Sequence, residues 1–206
     1  MLDYRDQGRR DPLSRLVLAS CSPRRCELLG RLGIPFVTVS PAVDETCSLP
    51  ARDCVVELSL RKASAVAAAE PDAFIVAADT LVSVQSMKLG KPSSDDDAVR
   101  MLSLLSGQTH QVYTGVTVVS PSGMTVSGYD RTDVTFCSLP KDEILSYVHT
   151  GEPLDKAGGY ALQGRASVWV TRIVGSDSSV IGLPLYLVRE FLLKTGFPLV
   201  SSLIRD

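Results

Sequence analysis

With 206 residues, 45% of them apolar and 21% charged, the chain suits one large domain or two small lobes sharing a core, and its balance argues against disorder. A net charge of −2 and a pI near 5.7 exclude the broad basic face of a sequence-independent nucleic-acid binder. No apolar run approaches the roughly 18 residues that span a bilayer, so no membrane partner is expected.

Residues 1–14 are charged throughout, lack the apolar stretch of a secretory signal and read as a flexible tail; residues 15–206 are expected to form the folded domain. Leu16 to Ala19 reads as a short buried strand. A helix follows, with Ser22 as candidate N-cap, Pro23 at its first position and Leu28, Leu29 and Leu32 on its apolar face, ending at Gly33. Phe36 to Val39 is a second strand. The long helix expected from Ala51 to Glu70 marks Val55, Leu58, Ala65, Val66 and Ala69 as its buried side.

A strand at Ala73 to Ala78 leads into Asp79-Thr80 and continues as Leu81 to Val84. Ser94 with Asp97 looks like a capping box for a helix ending near Gly107. Two long β stretches, Gln111 to Val119 and Met124 to Phe136, are joined by a Ser-Pro-Ser-Gly turn. A helix from Pro140 to His149, a loop, a strand at Val168 to Val174 and a helix from Pro184 to Lys194 complete the pattern. Strands alternating with helices argue for an α/β architecture.

The five cysteines, Cys21, Cys26, Cys47, Cys54 and Cys137, contain no C-x-x-C pair and suggest reduced thiols. His110 and His149 lack a second ligand at zinc-like spacing.

Four groups of residues carry candidate chemistry. Ser20-Cys21-Ser22-Pro23-Arg24-Arg25 joins a strand end to a helix N-terminus, where outward N–H groups and the helix dipole favour phosphate. Arg24 and Arg25 add guanidinium forks, and an anion would repair the mismatch of two cations in a first turn. The same residues also fit an ordinary capped helix with two solvated arginines. In Ala77-Ala78-Asp79-Thr80 a carboxylate follows an apolar strand at a sheet rim; Asp79 suits metal binding or water activation, or a plain turn.

Lys62 and Lys91 are mobile charges able to reach a phosphate, though surface lysines are common. Asp44 and Glu45 offer a second carboxylate or a solvated loop. Finally, 151–164 (GEPLDKAGGYALQG) is glycine-rich. Tyr160 can stack or pack, Gln163 can read a pyrimidine edge, and Asp155 with Lys156 can be a local ion pair. No G-x-G-x-x-G or Walker A pattern is present. Cys21 beside two arginines could serve as a nucleophile, but no histidine sits in an evident partner motif.

Together these segments resemble the Maf family of nucleotide pyrophosphatases, from Leu16 to about Leu193. Eight markers occur in order: LASCSPRR at 18–25, VDE at 43–45, RKA at 61–63, AADT at 77–80, LGKP at 89–92, LSGQTHQVYTGV at 105–116, GEPLDKAGGYALQG at 151–164 and GLPL at 182–185. The resemblance implies an elongated α/β fold with a mixed central sheet and a cleft between two lobes, similar to the ITPase type. It implies hydrolysis between the α and β phosphates with a divalent cation, Mg²⁺ or Mn²⁺, in a cytoplasmic homodimer.

By position, the resemblance makes Asp79 the acceptor of water's proton and Glu45 with Asp79 the metal carboxylates. Ser20, Arg24, Arg25, Lys62 and Lys91 become triphosphate binders. Arg24, Thr80, Lys156 and Gln163 match the branch acting on dTTP and UTP, and modified pyrimidine nucleotides suit a house-cleaning role. Ala161-Leu162 departs from the Gly-Ile frequent in relatives, which bears on backbone freedom beside Gln163. Two rivals are a non-enzymatic nucleotide-binding regulator of cell division and a purine (7-methyl-GTP-type) pyrophosphatase.

Overall fold

In the computed structural model, which describes residues 15–199, β1 (Leu16–Ala19) is buried along its whole length and is flanked in parallel by β2 (Phe36–Val39) and β3 (Phe74–Val84). The tail expected at 1–14 lies outside the described residues. Beyond β3 the sheet turns antiparallel, through β5 (Thr109–Val119), β6 (Thr125–Phe136) and β7 (Val170–Val174). The order is β2-β1-β3-β5-β6-β7, with the short β4 (Met87–Leu89) antiparallel to the end of β3. Among the described residues this is a mixed sheet of seven strands in an α/β fold, in line with the alternating pattern.

Alternation along β3 and β5 divides their side chains between two faces. On one face, Val76, Ala78, Val116 and Val118 join a core with α1 (Pro23–Gly30) and α6 (Leu185–Lys194). Farther along the same face, Val82, Val84 and Val112 join a second core with α3 (Asp95–Leu105) and α4 (Lys141–Val148). The polar pair Thr80 and Thr114 lies between the two cores. The opposite face is covered by α2 (Ala51–Ala69), whose Ala63 and Val66 pack on Val17, Ile75, Ala77 and Val119.

Gly115 makes the α2 packing possible: a Cβ there would lie 2.1 Å from the Val55 carbonyl oxygen. Only a residue without a side chain lets the helix backbone approach this closely.

Several local expectations change. β3 runs unbroken through Asp79 and Thr80, because β5 pairs with it from Ile75 to Ser83 and supplies backbone partners that outweigh the two polar residues. Ala65 and Ala69 are exposed on α2; the buried side instead includes Cys54, Ser59 and Lys62. Ser22 occupies the N-cap position of α1 without a side-chain cap, and the Ser20 hydroxyl accepts the Ser22 N–H instead, at 3.1 Å. Ser94 does cap α3 by accepting the Asp97 N–H at 3.2 Å, but the Asp97 carboxylate accepts from Ser93 rather than closing the reciprocal bond. β4 and α5 (Asp177–Ile181) were not expected, and 151–164 contains two short 3₁₀ turns, Glu152–Asp155 and Ala157–Gly159. The five cysteines are free, and among the described residues no helix is long and apolar enough to cross a membrane.

Candidate active site

β1 stops at Ala19 after pairing with Phe74 to Val76, and β4 takes up the same edge of β3 only at Val82. Residues 77–81 therefore have no strand neighbour on that side among the described residues. A cavity of about 660 Å³ opens at this gap. It is bounded by the first turn of α1, by α2, by Lys91 after β4 and by the glycine-rich segment. Ser20, Arg24, Arg25, Glu45, Lys62, Asp79, Thr80, Lys91, Lys156 and Gln163 all line it. Residues up to 143 positions apart in sequence are thus brought to one volume.

At its floor the Lys62 ammonium, on α2, donates to Asp79 Oδ1 at 2.6 Å and lies 2.7 Å from Glu45 Oε1. Lys62 and Asp79 are 5% and 7% exposed, so this pair is desolvated, while Glu45 stays open to solvent. Buried charges survive only when paired, and this ammonium serves two carboxylates. Partial burial pushes the Glu45 carboxyl up; the Lys62 hydrogen bond and the charges of Lys62, Lys91 and Arg25 outweigh it, holding Glu45 below its ordinary value.

Both carboxylate oxygens converge on a single cationic point. They form a hard-oxygen donor pair that fits a divalent ion completing its coordination with water and phosphate oxygens. Among the described residues there is no cluster of three or more His, Cys, Asp or Glu side chains able to hold a metal. Asp44 takes no part: its side chain accepts the Thr46 N–H at 2.8 Å in a local turn.

Across the strand, Arg25 Nε donates to the Gly182 carbonyl at 2.9 Å and its other arm donates to the Thr80 hydroxyl at 3.2 Å. Burial lowers the Arg25 pKa against the opposing pull of Asp79. Thr80 also bonds Thr114 at 3.0 Å, and Thr114 donates to the Ser179 carbonyl at 2.9 Å. Thr114 and the Gly182 carbonyl are site components that sequence reading missed. Both lie in markers of the resemblance, 105–116 and 182–185, but nothing in those stretches showed that they would brace Thr80 and Arg25.

The mouth is crossed by Arg24, which meets the Asp155 carboxylate at 3.0 Å. Asp155 also pairs with Lys156, so the expected local ion pair extends to α1. Burial raises the Asp155 carboxyl, but Lys156 and Arg24 more than offset this and hold it below the usual range. Lys156 Nζ donates to the Glu152 carbonyl at 2.7 Å, and Gln163 Nε2 reaches Glu27 at 3.4 Å. Tyr160 packs rather than stacks: it is buried with its hydroxyl 2.8 Å from His110 Nε2. Cys21 lines the cavity, but neither histidine does, so the thiol has no imidazole base.

Residues 15–195 match the family model described as Maf, Maf-like protein. A dTTP/UTP pyrophosphatase of Bacillus cereus (strain G9842) is 50% identical over 182 residues, covering 86% of this chain and 94% of that protein. Its counterpart of the same name in Moorella thermoacetica is 52% identical over 187 residues, covering 89% and 96%. Among solved structures, the Staphylococcus aureus Ham1 protein superposes with a TM-score of 0.52 at 16% identity, covering 87% of this chain and 98% of that one. That likeness is one of fold.

Proposed function

Because the chain belongs to the Maf family, we propose that it hydrolyses dTTP, UTP and related pyrimidine nucleoside triphosphates to the monophosphate and pyrophosphate. The observation that carries this reading is the pairing of Lys62 with both Glu45 and Asp79 at the floor of a cation-lined cavity. A triphosphate carries about four negative charges, so catalysis rests on positioning and on charge stabilisation. Ser20, Arg24, Arg25, Lys62 and Lys91 bind the phosphates. The N–H groups at the start of α1 add to them.

Asp79 orients the attacking water and accepts its proton. Lys62 fixes the Asp79 carboxylate and moderates its repulsion of the incoming phosphates. Glu45 and Asp79 are the residues that would hold Mg²⁺ or Mn²⁺. Such an ion, when bound, neutralises charge on the phosphates and on the departing pyrophosphate. Arg24, Thr80, Lys156 and Gln163 set nucleotide preference; the amide of Gln163 both donates and accepts, as a pyrimidine edge requires. The relatives named dTTP/UTP pyrophosphatase support this choice of base. The reading extends to a cytoplasmic homodimer that clears modified pyrimidine nucleotides.

The test is a panel of nucleoside triphosphates with Mg²⁺ or Mn²⁺, scored separately for pyrophosphate and single phosphate. Pyrophosphate release, fastest with dTTP or UTP, is expected. Single-phosphate release, binding without turnover, or a purine preference would each overturn the proposal.

A further inference from the structure

Lys156 and Gln163 reach the cavity from a segment of two short 3₁₀ turns and a loop, a weaker support than the strands and long helices that carry Asp79 and Lys62. Glu152, at the start of that segment, ties it together. Its Oε1 accepts the Tyr147 hydroxyl at 3.0 Å and the Arg165 backbone N–H at 3.1 Å. Its own carbonyl accepts Lys156 Nζ at 2.7 Å. Tyr147 belongs to α4, where it is buried edge-on against Trp169 with ring centroids 4.8 Å apart. One side chain thus anchors both ends of the segment to the second core.

Gly164 gives independent support. A Cβ there would meet Glu152 Oε1 at 2.0 Å, whereas its φ of −106° suits any residue. The carboxylate, not backbone strain, is what this glycine accommodates.

We infer that Glu152 is a positioning residue for nucleotide recognition: by joining the Tyr147 hydroxyl to the Arg165 N–H, its carboxylate sets where Lys156 and Gln163 stand in the cavity. This rests on the triphosphate-hydrolase reading above and deepens it. Arg25 and Lys62 sit on α1 and α2, away from the clamp. Arg24 meets the segment through Asp155, but a loosened segment frees it for phosphate rather than removing it, so loss of nucleoside recognition is separable from loss of phosphate binding. Without the clamp the segment samples more conformations, and the nucleoside must order it on binding.

The test measures affinity for α,β-methylene-dTTP and for inorganic tripolyphosphate by calorimetry, together with pyrophosphate release from dTTP. Glu152→Ala should weaken the nucleotide analogue roughly tenfold, the worth of one or two good hydrogen bonds, and leave tripolyphosphate binding no weaker than in the wild type. Glu152→Gln, which keeps an accepting oxygen, should recover part of the loss. Gly164→Ala should mimic Glu152→Ala, and the double variant should be no worse than either single one, because the clash needs the carboxylate.

Unchanged analogue affinity, parallel weakening of both ligands, or additive losses would overturn the inference. A wild-type protein that binds the analogue yet releases no pyrophosphate from dTTP sinks the proposed activity instead, and the affinity comparison still decides the role of Glu152.

Discussion

Asp79 and Thr80 are consecutive on β3 yet serve opposite faces of the sheet: Asp79 meets Lys62 of α2, whereas Thr80 meets Arg25 of α1. The edge left open between β1 and β4 lets one cavity touch both faces at this point. A carboxylate and the arginine-bearing helix can therefore face one ligand without either leaving regular structure.

Lys62 holds this arrangement together. In Lys62→Met, Asp79 stays buried without its cation, and breaking a buried pair on one side costs about 3 kcal/mol. For a chain of this size the melting temperature should fall by roughly 10 °C, measurable by calorimetry. A shift of a degree or less would mean that the pair is not desolvated as described.

Gly115→Ala probes how closely α2 must dock. The added Cβ would sit 2.1 Å from the Val55 carbonyl oxygen and 2.4 Å from its carbon, and backbone cannot yield as a side-chain end can. Overpacking of this kind costs about 1–3 kcal/mol or more, and it moves Lys62 relative to Asp79. Denaturant midpoint and turnover should fall together.

His110 gives stability a pH dependence. Burial lowers its pKa from the ordinary 6.5 to about 4, and among the described residues its Nδ1 is buried without a partner. The folded state keeps the ring neutral, so its contribution is complete above pH 6.5 and is lost as pH falls toward 4. The slope over that window is about 1.4 kcal/mol per pH unit. Urea titrations at pH 7 and pH 5 should show wild type losing about 2 kcal/mol more than His110→Phe, in which this titration is gone. Equal losses would contradict the buried neutral ring.

Much of this framework is legible in the sequence, and the exceptions have physical causes. Pro23 after Ser22 marks the start of α1, and the apolar runs of β1 and β3 mark the sheet centre. Asp79, expected to follow the strand at a sheet rim, lies within it, because pairing with β5, invisible to local pattern, carries β3 through Asp79-Thr80. On α2 the alanines carry little facial contrast, which hid the exposure of Ala65 and Ala69. The chemical residue types around Asp79 were legible one by one. The Arg24–Asp155 contact, between residues 131 apart in sequence, was not, since it depends on how two cores sit on one sheet face.

That contact makes its own prediction. The Asp155 side chain is 65% exposed, so its pair with Arg24 should add little to stability, within about 1 kcal/mol. Asp155→Asn nevertheless frees Arg24 and removes a negative charge from the mouth of the cavity. Affinity for inorganic tripolyphosphate should rise by about two- to fivefold at low salt and less at high salt. Weaker binding would show that Asp155 orients Arg24 rather than competing for it.

The most direct measurement is pyrophosphate release from dTTP by Asp79→Asn, alongside its melting temperature and its affinity for tripolyphosphate. Lys62 keeps Glu45 as a partner in this variant, so the fold and the cationic wall should survive while turnover drops by about 10²- to 10⁴-fold, the range for a lost general base. Near-normal release of pyrophosphate from a folded Asp79→Asn protein would contradict the account.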